Sequence, residues 1–212
     1  NDGNCYGIGP FLTLTVQQIP QFEVNPTAIV CLNLPPITLE TFNPQGNYSY
    51  EWRNASGEII SSNATAEVSS AGVYTVIATI ATSVLNCESF PKTVTVTASD
   101  IATITMNDIS IVDDSNNNSI TVNNTNLGAG DYEFSLDAPF GPFYSETRFE
   151  NLLPGIYTLY VSDKNGCGVA ALDIAILGFP KFFTPNGDGQ NDTWKVLGND
   201  LNNIQISSIY IF

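Results

Sequence analysis

The chain has 212 residues and a formal net charge of -15, from 21 acidic and 6 basic side chains, with no histidine. So acidic a surface repels phosphate backbones and anionic lipid, which argues against nucleic acid and membrane headgroups as partners. The lack of histidine removes Ser-His-Asp and Cys-His catalysis and most zinc sites. No run reaches the roughly 18 apolar residues that span a bilayer, so no transmembrane segment is expected.

Apolar residues make up 43% of the chain, enough for real cores. They are rich in Val, Ile, Thr, Tyr and Phe, which suit a pleated, half-buried strand. Turn residues fill the gaps between apolar runs, and a helix is hard to place anywhere. The expected class is all-β.

In chain order, Asn1-Asp2-Gly3-Asn4-Cys5 reads as the middle of a hairpin feeding the strand Phe11–Val16. Residues 1–20 are expected to be the tail of a preceding module. Residues 21–98 read as a complete module. Tyr48, Tyr50 and Trp52 alternate with Ser49, Glu51 and Arg53, the period of two that puts each set on one face of a strand. Asn43-Pro44-Gln45-Gly46, Ala55-Ser56-Gly57 and Ala71-Gly72 mark its turns. Residues 99–178 read as a second module, with Tyr132, Phe134 and Leu136 on one strand face and turns at Pro154-Gly155 and Lys164-Asn165-Gly166. The chain from 179 to 212 is different in character, and it closes on Ile209-Tyr210-Ile211-Phe212, which reads as the middle of a strand. Both ends look cut, so the parent protein is expected to extend further.

The two modules repeat one another. Gly72-Val73-Tyr74-Thr75-Val76 matches Gly155-Ile156-Tyr157-Thr158-Leu159, and Asn47–Trp52 resembles Asp131–Leu136. Cys5, Cys87 and Cys167 each sit in a turn that feeds a module's last strand. A unit of this size carries its own core, so tandem sandwiches of about seven strands fit better than a solenoid.

Cys31, Trp52 and Cys87 follow one another through the first module. This order resembles the immunoglobulin pattern, in which a strand-bridging disulfide packs on a Trp. The resemblance implies a Cys31–Cys87 disulfide, although Tyr74 lies further before Cys87 than that pattern has it. Cys5 and Cys167 are left without an obvious partner. Disulfides imply an oxidising compartment. No Gly-x-Ser-x-Gly, phosphate loop or dinucleotide fingerprint is present, and Asp113-Asp114 reads as part of a solvated loop. An enzyme is not expected within this chain.

The most informative stretch is Phe182-Phe183-Thr184-Pro185-Asn186-Gly187-Asp188-Gly189-Gln190-Asn191-Asp192-Thr193-Trp194. It resembles the opening of the gliding-motility-associated C-terminal domain, the type B sorting domain of type IX secretion substrates. Phe183, Thr184, Pro185, Asn186, Gly187, Asp188, Gly189, Asn191 and Asp192 stand at the motif positions. Ile204-Gln205-Ile206 and Ile209–Phe212 take the place of the strand that follows in that family. The later turn and strands of the family are not in this sequence, so the resemblance covers about the last thirty-four residues and half of the domain. It implies a β-sandwich sorting domain, export across the outer membrane, and display on the bacterial cell surface. The implied partners are the translocon and an outer-membrane barrel of the SprF/PorP or PorV kind. The upstream modules are similar to those of large surface adhesins of gliding bacteria.

From the residues alone, Pro185 with two Xaa-Gly pairs forms a tight, sharply turned loop. Asn186, Asp188, Gln190 and Asp192 also place oxygens at alternate positions, like the first half of a calcium loop, although Leu197 stands where that loop has its closing Glu. Ca²⁺ on Asn186, Asp188 and Asp192 is the only cofactor the sequence suggests. The functional expectation is the C-terminal part of a secreted adhesin: spacer or adhesive modules followed by an export address. The alternative is the linker and address of a secreted hydrolase whose catalytic domain lies upstream. A polysaccharide is a candidate ligand, with the loop Phe140-Gly141-Pro142-Phe143 the better placed aromatic platform.

Overall fold

The structure is a computed structural model, and it describes residues 18–80, 87–114, 116–189 and 192–198. Cys5, the strand Phe11–Val16, Gln190, Asn191 and the stretch Ile204–Phe212 lie outside the described residues.

The chain is all-β. Strands β1 (Glu23–Val24), β3 (Ile37–Phe42) and β6 (Thr65–Val68) form one sheet in the order β1-β3-β6. Strands β2 (Thr27–Cys31), β4 (Tyr48–Arg53), β5 (Ile59–Ser61), β7 (Gly72–Ile80) and β8 (Lys92–Ser99) form a second, in the order β2-β8-β7-β4-β5. The next six strands repeat the plan. Strands β9 (Ile109–Val112), β10 (Asn118–Val122) and β12 (Arg148–Leu152) lie in the order β12-β10-β9. Strands β11 (Tyr132–Leu136), β13 (Gly155–Asp163) and β14 (Val169–Ile176) lie in the order β11-β13-β14. One short 3-10 turn, Met106–Asp108, is the only helical element among the described residues.

In the second set the first, second and fourth strands share one sheet and the third, fifth and sixth the other, as β1, β3 and β6 stand against β4, β7 and β8 in the first set. That order is immunoglobulin-like. It explains the alternation in the sequence. In β4 the antiparallel register sets Trp52 opposite Val76 and Tyr50 opposite Ala78, both on β7. Trp52, Val76 and Ala78 are fully buried, while the residues between them face outward or sit half-buried. Phe22 packs edge-on against Tyr50 at 5.6 Å. In the second set Phe134, opposite Val161, joins Ile120, Leu127, Leu159, Ile174 and Ile176 in one core.

The described residues form two compact units. One takes those within Asn1–Ala28, Thr38–Glu67 and Gly72–Thr95. The other takes those within Ile29–Ile37, Val68–Ala71 and Val96–Phe212.

Candidate functional site

The segment that follows β14 runs out from the sandwich, and its two ends meet again at Gly178 and Leu197. Gly178 and Leu197 exchange two backbone hydrogen bonds: Gly178 N–H donates to Leu197 O at 3.2 Å, and Leu197 N–H to Gly178 O at 2.8 Å. Above that neck the rings of Phe179 and Trp194 stack in parallel, with centroids 5.3 Å apart and planes 2° from parallel. Two glycines let the neck sit close to the sandwich. A Cβ on Gly198, whose φ is +79°, would lie 2.1 Å from Ile176 O at the end of β14. A Cβ on Gly178 would lie 2.3 Å from Pro154 Cγ. No side chain fits at either position without movement.

The tip carries the described part of the motif. Asp192 organises it. Its Oδ1 accepts the Gly187 N–H and its Oδ2 the Gly189 N–H, each at 2.7 Å. Asn186 Nδ2 donates to Asp188 Oδ2 at 2.9 Å, and Asp188 N–H donates back to Asn186 Oδ1 at 3.3 Å. Asn186 N–H closes a small turn around Pro185 on Thr184 O. Gly187 and Gly189 have φ of +77° and +82°, in the region that favours glycine. The amides of Gly187 and Gly189 hold the Asp192 carboxyl below the usual carboxylate range. Asn186 Oδ1, Asp188 Oδ2 and both Asp192 carboxylate oxygens, expected as calcium ligands, accept hydrogen bonds inside the loop. Among the described residues no group of three or more His, Cys, Asp and Glu side chains stands together for a metal.

Phe182 and Phe183 face outward at 69% and 51% exposure. Trp194 is half-buried on Phe179. Beside the neck lies an open cavity of about 520 Å³, lined among others by Asp114, Asn118, Leu152, Leu153, Phe179 and Lys181.

The cysteine pairing differs from the expected one. Cys31 bonds Cys167, with Cα atoms 5.4 Å apart, and Cys87 is a free thiol. The reason lies in strand direction. Cys31 ends β2, where Leu32 N–H donates to Ser99 O at the last residue of β8. Cys87 precedes β8, where Glu88 pairs with Thr79. Eight strand residues separate those positions by about 25 Å along β8, beyond any disulfide's reach.

Cys167 lies in the second unit together with Cys31, and a buried carboxylate supports it. Asp163 Oδ1 accepts Ser99 Oγ–H at 2.9 Å and Asp131 N–H at 3.0 Å, while Oδ2 accepts Cys167 N–H at 3.1 Å. Asn165 Nδ2 donates to Ser99 Oγ, and Asn33 Nδ2 to Cys167 O. Burial pushes the Asp163 pKa up. The hydrogen bonds from Cys167, Ser99, Asp131 and Asn165 outweigh it, so the net shift is downward. Nothing in the residue order pointed to this cluster, because Ser99 and Asp163 are brought together by the fold. The Phe179–Trp194 stack was equally hidden, though Trp194 stood in the motif.

Phe140 is 97% exposed at the tip of its loop. The loop returns as Tyr144 pairs with Phe134 through two backbone hydrogen bonds.

No family model and no curated protein matches the chain. Solved structures do. The chain is similar to a fragment of titin at 15% identity and TM-score 0.46, over 74% of this chain and 65% of that one. It is similar to immunoglobulin domains 1–4 of Sidekick-1 at 14% identity and TM-score 0.43, over 74% and 48%. Rst D1-D2 is matched at 8% identity and TM-score 0.40, over 75% and 99%. The chain therefore spans less than two thirds of the titin and Sidekick-1 fragments.

Proposed function

We infer that the chain is the C-terminal part of a secreted bacterial surface adhesin. Immunoglobulin-like modules serve as spacers or adhesive units, and the segment from Phe179 is the address read by the type IX secretion machinery. The observation that carries this reading is the loop itself. The described part of the motif around Gly187 and Gly189 is held by the Asp192 carboxylate, on a neck seated against the sandwich. A shape kept by internal hydrogen bonds is pre-organised for a partner, which lowers the ordering cost of recognition. Phe182 and Phe183, exposed beside it, give the apolar contact such recognition uses. The partners on this reading are the translocon and an outer-membrane barrel of the SprF/PorP or PorV kind. The Cys31–Cys167 disulfide supports an oxidising destination outside the cytoplasm.

Localisation of the parent protein tests it. Deleting everything from Phe179 onward keeps every strand of both sandwiches and removes the loop. Retention in the periplasm is the expected result. Undiminished surface display of the deleted protein would remove the sorting role and leave the sandwich array with another purpose.

A further inference from the structure

We propose that Asn186-Gly187 is a latent deamidation site, and that Asp192 is the clamp that keeps it from reacting. Asparagine followed by glycine is the dipeptide most open to intramolecular imide formation, because glycine has no Cβ to shield its nitrogen. The steps balance without an external oxidant or reductant. The Gly187 nitrogen gives up its proton and bonds to Asn186 Cγ. The Cγ–Nδ2 bond breaks and ammonia leaves. Water then opens the cyclic imide at one of its two carbonyls. One opening yields aspartate. The other yields isoaspartate, in which the main chain runs through the former side chain.

The loop opposes both halves of the first step. The Gly187 N–H that must be lost is held at 2.7 Å by Asp192 Oδ1, a charged acceptor that stabilises the protonated amide. The Asn186 side chain that must be attacked is pinned at both ends on Asp188, through Nδ2 to the carboxylate and Oδ1 from the amide. The chain's other Asn-Gly pair is guarded likewise: Gly166 N–H donates to Asp163 O at 3.0 Å, and Asn165 Nδ2 is engaged by Ser99. The two sites differ in surroundings. Asn186 and the Asp188 and Asp192 side chains that guard it belong to one short loop; Asn165 sits over the buried Asp163 cluster. Isoaspartate formed at Asn186 would insert a methylene into the main chain of the turn and add a carboxylate beside it, ending its shape. The proposal rests on this chemistry and stands whatever reads the loop.

Incubation of the whole chain at mildly alkaline pH, followed by peptide mapping of aspartate and isoaspartate, tests it. Urea-unfolded protein gives the unguarded rate at both sites. Folded wild type is expected to react severalfold more slowly than that at Asn186. The Asp192→Ala variant should approach the unfolded rate at Asn186 while Asn165 stays slow, and Asp192→Asn, which keeps one acceptor, should fall between. The slow Asn165 is the internal proof that the Ala variant remains folded. Should Ala shift both sites together, the Asn variant decides: an intermediate rate at Asn186 alone supports the clamp. A wild-type rate at Asn186 in both variants, or a slower one showing that Asp192 acts as a base, overturns it.

Discussion

Removing the Cys31–Cys167 disulfide should be the most costly simple change to the second unit. The bridge joins residues 136 apart in sequence, and the chain-entropy account gives about 5 kcal/mol for a loop of that length. Native disulfides measured by removal span roughly 2–5 kcal/mol, so that figure is the upper end. Cys167 is buried, and its amide is one of the donors to Asp163, so truncating both cysteines to alanine leaves the hydrogen bonds in place. The loss is then carried mainly by the unfolded chain, which gains freedom. It should appear as a lower denaturation midpoint together with a steeper denaturant dependence, since the uncrosslinked chain exposes more surface.

Pairing is checked first. Cleavage after Glu, Lys and Arg places the four cysteines in four separate peptides, 1–23, 24–40, 68–88 and 165–181. The non-reduced map should contain 24–40 joined to 165–181, with 68–88 free of Cys31. A 24–40 to 68–88 crosslink would refute the strand-direction argument. A stability change within the ~0.5 kcal/mol of an ordinary surface substitution would refute the energetic one.

Four further outcomes follow. Gly198→Ala forces a Cβ to within 2.1 Å of Ile176 O at a left-handed φ; local proteolysis at the loop should rise while the sandwich transition falls by about 1–3 kcal/mol, the range of overpacking. Trp52→Ala empties a fully buried site and should lower the first unit's stability by about 3–5 kcal/mol in chemical denaturation. Asp163 has a lowered pKa in the fold, so its contribution is full above the unfolded value near ~3.9 and is lost as pH falls through the folded value; Asp163→Asn should flatten the acid limb of a stability-against-pH curve. Asp192 titrates in the same sense, so the protection of the Gly187 and Gly189 amides, taken as exchange rate relative to the unfolded chain at the same pH, should fall below the ordinary carboxylate range in wild type and be low at all pH in Asp192→Ala.

The fold was legible where one face of a strand is buried. Tyr48-Ser49-Tyr50-Glu51-Trp52 announced its register because a slip of one residue would turn Trp52 to water. Repetition at a fixed offset told that a second sandwich follows the first, since Gly72–Val76 and Gly155–Leu159 both begin long penultimate strands. The disulfide was not legible. Cys–Trp–Cys order suggested a bridge within the first repeat, but pairing depends on which strand end each cysteine occupies, and β2 runs alongside β8 toward Ser99, away from Cys87. The motif loop was legible as a turn from its Pro and Gly residues. Its neck was not, because Gly178, Phe179, Trp194 and Gly198 meet only through the closure, and nothing in their local order marks them as partners.

The acidity of the chain has more than one meaning. Most of the described acidic residues are exposed, but Asp163 and Asp192 each turn inward on backbone amides. Both stand at glycine-bearing turns, where the main chain cannot satisfy its own N–H groups through a ladder. A carboxylate offers two acceptor oxygens with about four lone-pair directions, enough to take two or three such donors at once. The same side-chain type therefore supports the turn beneath the disulfide and the turn of the motif. The two differ in depth: Asp163 is buried among groups from several segments, and Asp192 is held only by the loop it holds. The first makes a fixed support and the second a shape that one side chain can release, which is why Asp192 rather than Asp163 is the residue whose loss should change the loop and leave the sandwich standing.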